Sequence, residues 1–202
     1  MPTCPPKIVL NPVQTFTDMD LPLLFKALRF AAFKHRNQRR KDVGASPYIN
    51  HPIAVASVLS EEGGITDVEI LCGALLHDTV EDTETTLTEL ETLFGQTITR
   101  YVAEMTDDKN LPKAERKRQQ IVSAPHKLAG SKQIKIADKI CNVRDVSLNP
   151  PANWPMERRV AYLDWTEEVV AGCRGLNTDL EAAYDRSLAE AREQLASETA
   201  SN

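Results

Sequence analysis

The sequence has no long apolar run. Nothing in its 202 residues approaches the roughly 20 consecutive apolar positions that a membrane-spanning helix needs, which argues against a membrane partner. Cysteine is sparse: Cys4, Cys72, Cys141 and Cys173 lie far apart, with no CxxC pair. They read as reduced thiols rather than a disulfide frame. The first residues, MPTCPPKIVLNPVQTFTD, hold four prolines, one early lysine and only a short apolar stretch, which is not a secretory signal. A cytoplasmic location is expected. An excess of positive charge is also missing, since 24 Lys and Arg face 29 Asp and Glu for a net charge of −5. A general nucleic-acid binder carries a basic surface instead, so no nucleic-acid partner is expected. There is no internal repeat, no low-complexity segment and no strand-like alternation.

What the sequence does have is helical spacing almost throughout. Residues 1–19 are Pro-rich and aperiodic, and read as an N-terminal arm. From Asp20 onward, Leu24, Ala27, Leu28, Ala31 and Ala32 recur at three- and four-residue steps, the stripe of an amphipathic helix. His51 and Pro52 open a second helix, which Gly63-Gly64 ends. A third is expected over 67–78, with Val68, Leu71, Cys72, Leu75 and Leu76 on one stripe. Shorter helices follow over 86–94, capped by Thr85 or Thr86, then over 97–106 and 112–123. Longer ones cover 131–148, 155–174 and 178–195. The pattern predicts an all-α fold, a single compact domain of roughly eight to ten helices over 20–195, with a short C-terminal tail over 196–202.

The segment Ala74-Leu75-Leu76-His77-Asp78-Thr79-Val80-Glu81-Asp82 runs an apolar stripe directly into a His-Asp pair and two further acids. On a continuous helix, His77 and Glu81 stand four apart, Asp78 and Glu81 three, and Asp78 and Asp82 four, all within side-chain reach. Burying that much charge is costly unless a cation neutralises it. His51 lies in Tyr48-Ile49-Asn50-His51-Pro52, at the start of an apolar helix. Asp138 sits inside the apolar run Ile134-Lys135-Ile136-Ala137-Asp138-Lys139-Ile140, where aspartate is a poor helix former and wants a partner; Asn142 shares its face. Two imidazoles and two carboxylates make a mixed N/O set suited to manganese, iron, nickel or zinc in an open site.

The order His … His-Asp … Asp is that of the HD-domain phosphohydrolases. Arg39-Arg40-Lys41, Tyr48–Pro52, Leu75–Thr83, Phe94-Gly95, Ala137-Asp138-Lys139 and Asn142-Val143-Arg144-Asp145 further resemble the hydrolase domain of RelA/SpoT-type alarmone enzymes, above all the stand-alone metazoan-type form. The resemblance covers residues 20–192. It implies one divalent ion, usually Mn2+, on His51, His77, Asp78 and Asp138, an acidic catalytic pair at Glu81 and Asp82, and Asn142 as a further catalytic-site residue. It also implies hydrolysis of the 3′-pyrophosphate of guanosine 3′,5′-bis(diphosphate), ppGpp or pppGpp, to GDP or GTP and pyrophosphate. Cys141 stands where a larger residue is common, and residues 1–19 are extra.

A highly charged nucleotide needs cations around its phosphates. Arg40 and Lys41 precede the Tyr48–His51 segment, and Tyr48 is placed either to stack on the nucleoside or to pack. The resemblance puts Lys113 near the phosphates and places Arg158 and Tyr162, four apart on one helix, at nucleotide contacts. His35 and His126 fall outside the motif, and Trp154 and Trp165 read as packing residues. Two other readings stay open: an HD-type phosphatase acting on another nucleotide such as NADPH, and a non-catalytic nucleotide-binding module. Nothing in the sequence fixes the oligomeric state.

Overall fold

A computed structural model describes residues 20–200; the expected arm over 1–19 and the last two residues lie outside them. Among the described residues there are ten α-helices and one 3-10 turn, with no strand beyond an isolated bridge between Arg39 and Pro47. The fold is all-α, as the spacing predicts. The helices are α1 (Asp20–Lys34), α2 (Asn50–Glu61), α3 (Val68–Leu76), α4 (Thr79–Asp82), α5 (Leu87–Phe94), α6 (Gln96–Met105), α7 (Lys113–Ser123), α8 (Ala129–Leu148), α9 (Met156–Ala171) and α10 (Thr178–Ala200). The last continues past Leu195, where the apolar stripe ends. Pro112 and Pro155 cap α7 and α9 from just outside instead of sitting in their first turns. None of the helices is long and apolar enough, among the described residues, to cross a membrane.

The centre of the molecule is α3. Every residue from Ile70 to Leu76 is buried, which marks a helix enclosed on all sides. It packs against α1, α2, α6 and α8. Ile70, Leu71 and Ala74 join one apolar cluster with residues of α2, α8 and α10, such as Leu59, Ile134, Ile140 and Leu180. Cys72, Leu75 and Leu76 join a second with Ala27, Ala31, Leu90, Ile98 and Val102 of α1, α5 and α6. Asp67 starts the helix by accepting the amides of Glu69 and Ile70, a side-chain cap for otherwise unpaired donors. Thr86 does the same for α5 through the Glu89 amide.

The expected helix over 67–78 is interrupted. Its regular part stops at Leu76, and His77-Asp78 form a turn before the single-turn α4. Side chains take carbonyls at this end: Thr79 Oγ1 donates to Leu76 O at 2.7 Å and His77 Nδ1 meets Ala74 O at 2.7 Å. The interruption lies on His77 and Asp78, two of the expected metal ligands.

Candidate metal and nucleotide site

His77 and Asp78 leave the end of α3, His51 stands in the first turn of α2, and Asp138 projects from the middle of α8. The three helices bring them together. His51 Nε2 lies 3.1 Å from Asp138 Oδ1 and 3.9 Å from Asp78 Oδ2. His77 Nε2 lies 3.1 Å from Asp78 Oδ2 and 3.9 Å from Asp138 Oδ1. Donor atoms of His51, His77 and Asp138 all fall within 4.8 Å of one another, and Asp78 closes the group through its short contact with His77. Two imidazole nitrogens and two carboxylate oxygens in a buried pocket fit a divalent ion. The His77 ring also has the orientation such a ligand needs: with Nδ1 on the Ala74 carbonyl, Nε2 is left to face the pocket.

The electrostatics show how strongly these groups are coupled. Burial works against an imidazolium at His77, but Asp78 and Asp138 outweigh it and raise the pKa to about 9. Burial likewise pushes Asp78 and Asp138 upward; the His77 and His51 rings for the first, and Lys139 and His51 for the second, hold both well below the usual carboxylate range. Protons and neighbouring cations do the neutralising that a metal would take over.

The remaining acids part company. Glu81 lines the metal pocket with Asp107, Gln120, Lys135, Lys139 and Asn142. Its Oε2 accepts the Asp107 amide at 3.0 Å, and burial raises its pKa. Asp82 faces another way: it accepts from Gln38 and Lys109 at 2.9 and 2.8 Å and lines a neighbouring cavity of about 460 Å³. The sequence places both acids on one helix face with Asp78; as consecutive residues of α4, about 100° apart around its axis, they line different cavities.

That larger cavity opens directly beside the metal pocket, and Arg40, Tyr48 and Asn142 line both. Its size is that of a small-molecule site. Lys41 and Tyr162 also line it. Tyr48 donates its hydroxyl to Asp78 Oδ2 at 2.6 Å, which orients that carboxylate. Asn142 donates to Asp138 Oδ1 at 2.6 Å, and Arg40 reaches Asn142 Oδ1 at 3.4 Å while pairing with Asp145. Lys113 and Arg158 line neither cavity. The Arg158 guanidinium lies 4.2 Å over the Trp154 ring, and burial together with Arg158, Lys41 and Arg116 pushes the Lys113 pKa down, so a cationic cluster forms at the cavity's edge.

Several residues that spacing passes over belong to the site. Trp154, expected only to pack, lines the large cavity. His35 stacks beneath Tyr48 with ring centroids 4.9 Å apart. Lys139 bonds Asp138 Oδ2 at 3.0 Å and lies over Trp165 at 4.6 Å. Lys139, like Lys135, was legible as a charged residue within an apolar helical run; the other two carried no such signal.

Comparison with known proteins agrees with this arrangement. A family model described as HD domain matches residues 27–163. The guanosine-3′,5′-bis(diphosphate) 3′-pyrophosphohydrolase of Danio rerio is 54% identical over 159 residues, covering 79% of this chain and 88% of that one. Its counterpart in Homo sapiens is 54% identical over 160 residues, covering 79% and 89%. A solved structure of a metazoan orthologue of SpoT, described as hydrolysing ppGpp, superposes with a TM-score of 0.82 at 45% identity, covering 87% of this chain and 97% of that one. The chain belongs to the HD-domain family, in the group formed by these 3′-pyrophosphohydrolases.

Proposed function

We propose that the protein is a metal-dependent guanosine 3′,5′-bis(diphosphate) 3′-pyrophosphohydrolase, turning ppGpp or pppGpp into GDP or GTP and pyrophosphate. The observation that carries this reading is the convergence of His51, His77, Asp78 and Asp138 on one buried pocket that opens onto a nucleotide-sized cavity whose lining includes Arg39, Arg40 and Lys41. The named activity of relatives at 54% identity supports the guanosine and the 3′ position.

In this reading His51, His77, Asp78 and Asp138 hold one divalent ion, which we take to be Mn2+. When bound, such an ion supplies Lewis acidity that activates water and offsets phosphate charge. Glu81 is the general base. Its carboxylate is fixed by the Asp107 amide, and burial raises its pKa above the ordinary carboxylate value, which makes it a better proton acceptor. Asn142, steadied by Asp138 and Arg40, presents its amide to the reacting phosphate. Asp82, on the wall of the larger cavity, positions Gln38 and Lys109 there and relays or orients water at the edge of the pocket. Arg40, Lys41, Tyr48 and Tyr162 hold the nucleoside, with Lys113 and Arg158 as an outer cationic rim. Three buried free cysteines, Cys72, Cys141 and Cys173, support a reducing, cytoplasmic setting.

Turnover of ppGpp, pGpp and NADPH measured side by side with Mn2+ tests the assignment. Release of pyrophosphate from ppGpp is expected; failure to release it would sink the reading. Glu81→Gln is expected to lower turnover by about 10²–10⁴-fold while Mn2+ binding, read by calorimetry, persists. Unchanged turnover would remove Glu81 from the role of base.

A further inference from the structure

The metal pocket has a second neighbour. Beside the large cavity, a further cavity of about 240 Å³ lies between the loop after α6, α7 and the start of α8. It shares Asp107, Gln120 and Lys135 with the metal pocket, whereas the large cavity shares Arg40, Tyr48 and Asn142. The two neighbours have no lining residue in common, so the metal pocket stands between them.

Charge in this second cavity is unevenly satisfied. Its acidic groups are engaged: Glu104 Oε2 accepts the Leu128 amide, Asp107 Oδ2 accepts from Gln120, and Asp108 Oδ1 accepts from Asn110. Lys127 donates to the Glu104 carbonyl. Two cations make no side-chain hydrogen bond to a carboxylate among the described residues. Lys135 is 3% exposed, and its ammonium donates to no protein group among the described residues. Arg116 Nε is buried without a hydrogen-bond partner, and so is Gln120 Oε1. A buried donor left unmade costs free energy, and two that line one cavity beside a metal pocket point to an anion that completes them. Burial and the adjacent Lys139 push the Lys135 pKa down to about 8, a penalty that an arriving anion relieves.

The substrate has the matching shape. With the nucleoside in the large cavity and the phosphorus nearest the ribose at the metal pocket, the second phosphate of a 3′-diphosphate lies beyond that phosphorus, away from the nucleoside. We propose that the cavity lined by Lys135, Arg116 and Gln120 receives this distal phosphate, making Lys135 the residue that distinguishes a 3′-diphosphate from a 3′-monophosphate. The inference rests on the functional reading above and adds a specificity site to it.

Binding in a Glu81→Gln background, full-length and saturated with Mn2+, isolates the effect from turnover. The two probes are ppGpp and guanosine 5′-diphosphate 3′-monophosphate, which differ only in the distal phosphate. Calorimetry is expected to show tighter binding of ppGpp. Lys135→Met should cut that preference by about tenfold or more with the affinity for the monophosphate kept, and Arg116→Met should cut it less. An unchanged preference in both variants, or an equal loss for both ligands, overturns the subsite. Should Lys135→Met fail to fold, the preference in Arg116→Met decides. A wild-type enzyme that releases no pyrophosphate from ppGpp overturns the functional reading and this inference with it; normal release with an unchanged preference overturns this inference alone.

Discussion

The metal pocket has two walls that hold their ligands differently. On the α3 side the helix ends at the ligands, and backbone groups orient the side chains: Ala74 O fixes His77, the Asp107 amide fixes Glu81, and Thr79 closes the Leu76 carbonyl. On the α8 side the helix runs unbroken through Asp138, so its backbone is fully used and only side chains can position the carboxylate. Lys139 takes one oxygen, while His51 and Asn142 share the other. A helix end supplies free polar groups at no cost to its own ladder; a helix middle has to import charge. That difference accounts for the buried Lys139 beside a pocket suited to a cation.

As metal ligands the two walls are expected to be equal. His77→Ala and Asp138→Ala should each lower Mn2+-dependent turnover on the order of 10³-fold or more and abolish Mn2+ binding by calorimetry. A variant on either wall that keeps full affinity would show that wall to be scaffold only. As structural elements the walls should differ. Lys139→Met leaves Asp138 Oδ2 buried without its cation, so the metal-free protein should lose about 3 kcal/mol in urea unfolding. A loss below 1 kcal/mol would mean that α8 does not depend on imported charge.

The proton inventory sharpens the contrast further. The His77 pKa lies near 9 in the metal-free protein, above its ordinary value, so the ring is protonated at neutral pH and a metal must displace that proton. Apparent Mn2+ affinity should therefore rise with pH by about tenfold per unit and level off above about pH 9. Calorimetry in buffers of differing ionisation enthalpy should read proton release at pH 7; none would contradict the assignment. By the same sign, the imidazolium stabilises the metal-free fold below the unfolded histidine pKa, and that contribution disappears as pH passes about 9. The smallest effect is expected at Thr79→Val, which removes one hydroxyl bond to Leu76 O and should cost about 1 kcal/mol. A larger loss would show that the helix end depends on this bond more than on packing.

Most helices were legible from spacing because apolar stripes are local signals; the four proposed ligand positions came from the order of the motifs, and the fold brings those four side chains together. The turn at His77-Asp78 was not legible. Periodicity continues straight through it, while the local bonds of His77 Nδ1 to Ala74 O and Thr79 Oγ1 to Leu76 O mark where the chain turns. The same blind spot joined Glu81 and Asp82 into one group, although they face different cavities. Trp154, in the loop before α9, read as packing, and it does pack against the core; that its other side lines a cavity leaves no mark in the sequence. Lys135 showed only as a charged residue within an apolar run, and the fold adds that it is buried.

The enclosure of α3 on every side has a kinetic consequence. A helix with no exposed face cannot fray independently of the two apolar clusters that grip it, so its amide hydrogens should exchange only through global opening. The His-Asp pair is attached to the slowest-opening part of the molecule, while Lys41 and Lys113 ride on exposed segments. Under the proposed function, nucleotide exchange then needs only local motion of the rim, whereas displacing the His-Asp pair needs opening of the fold itself.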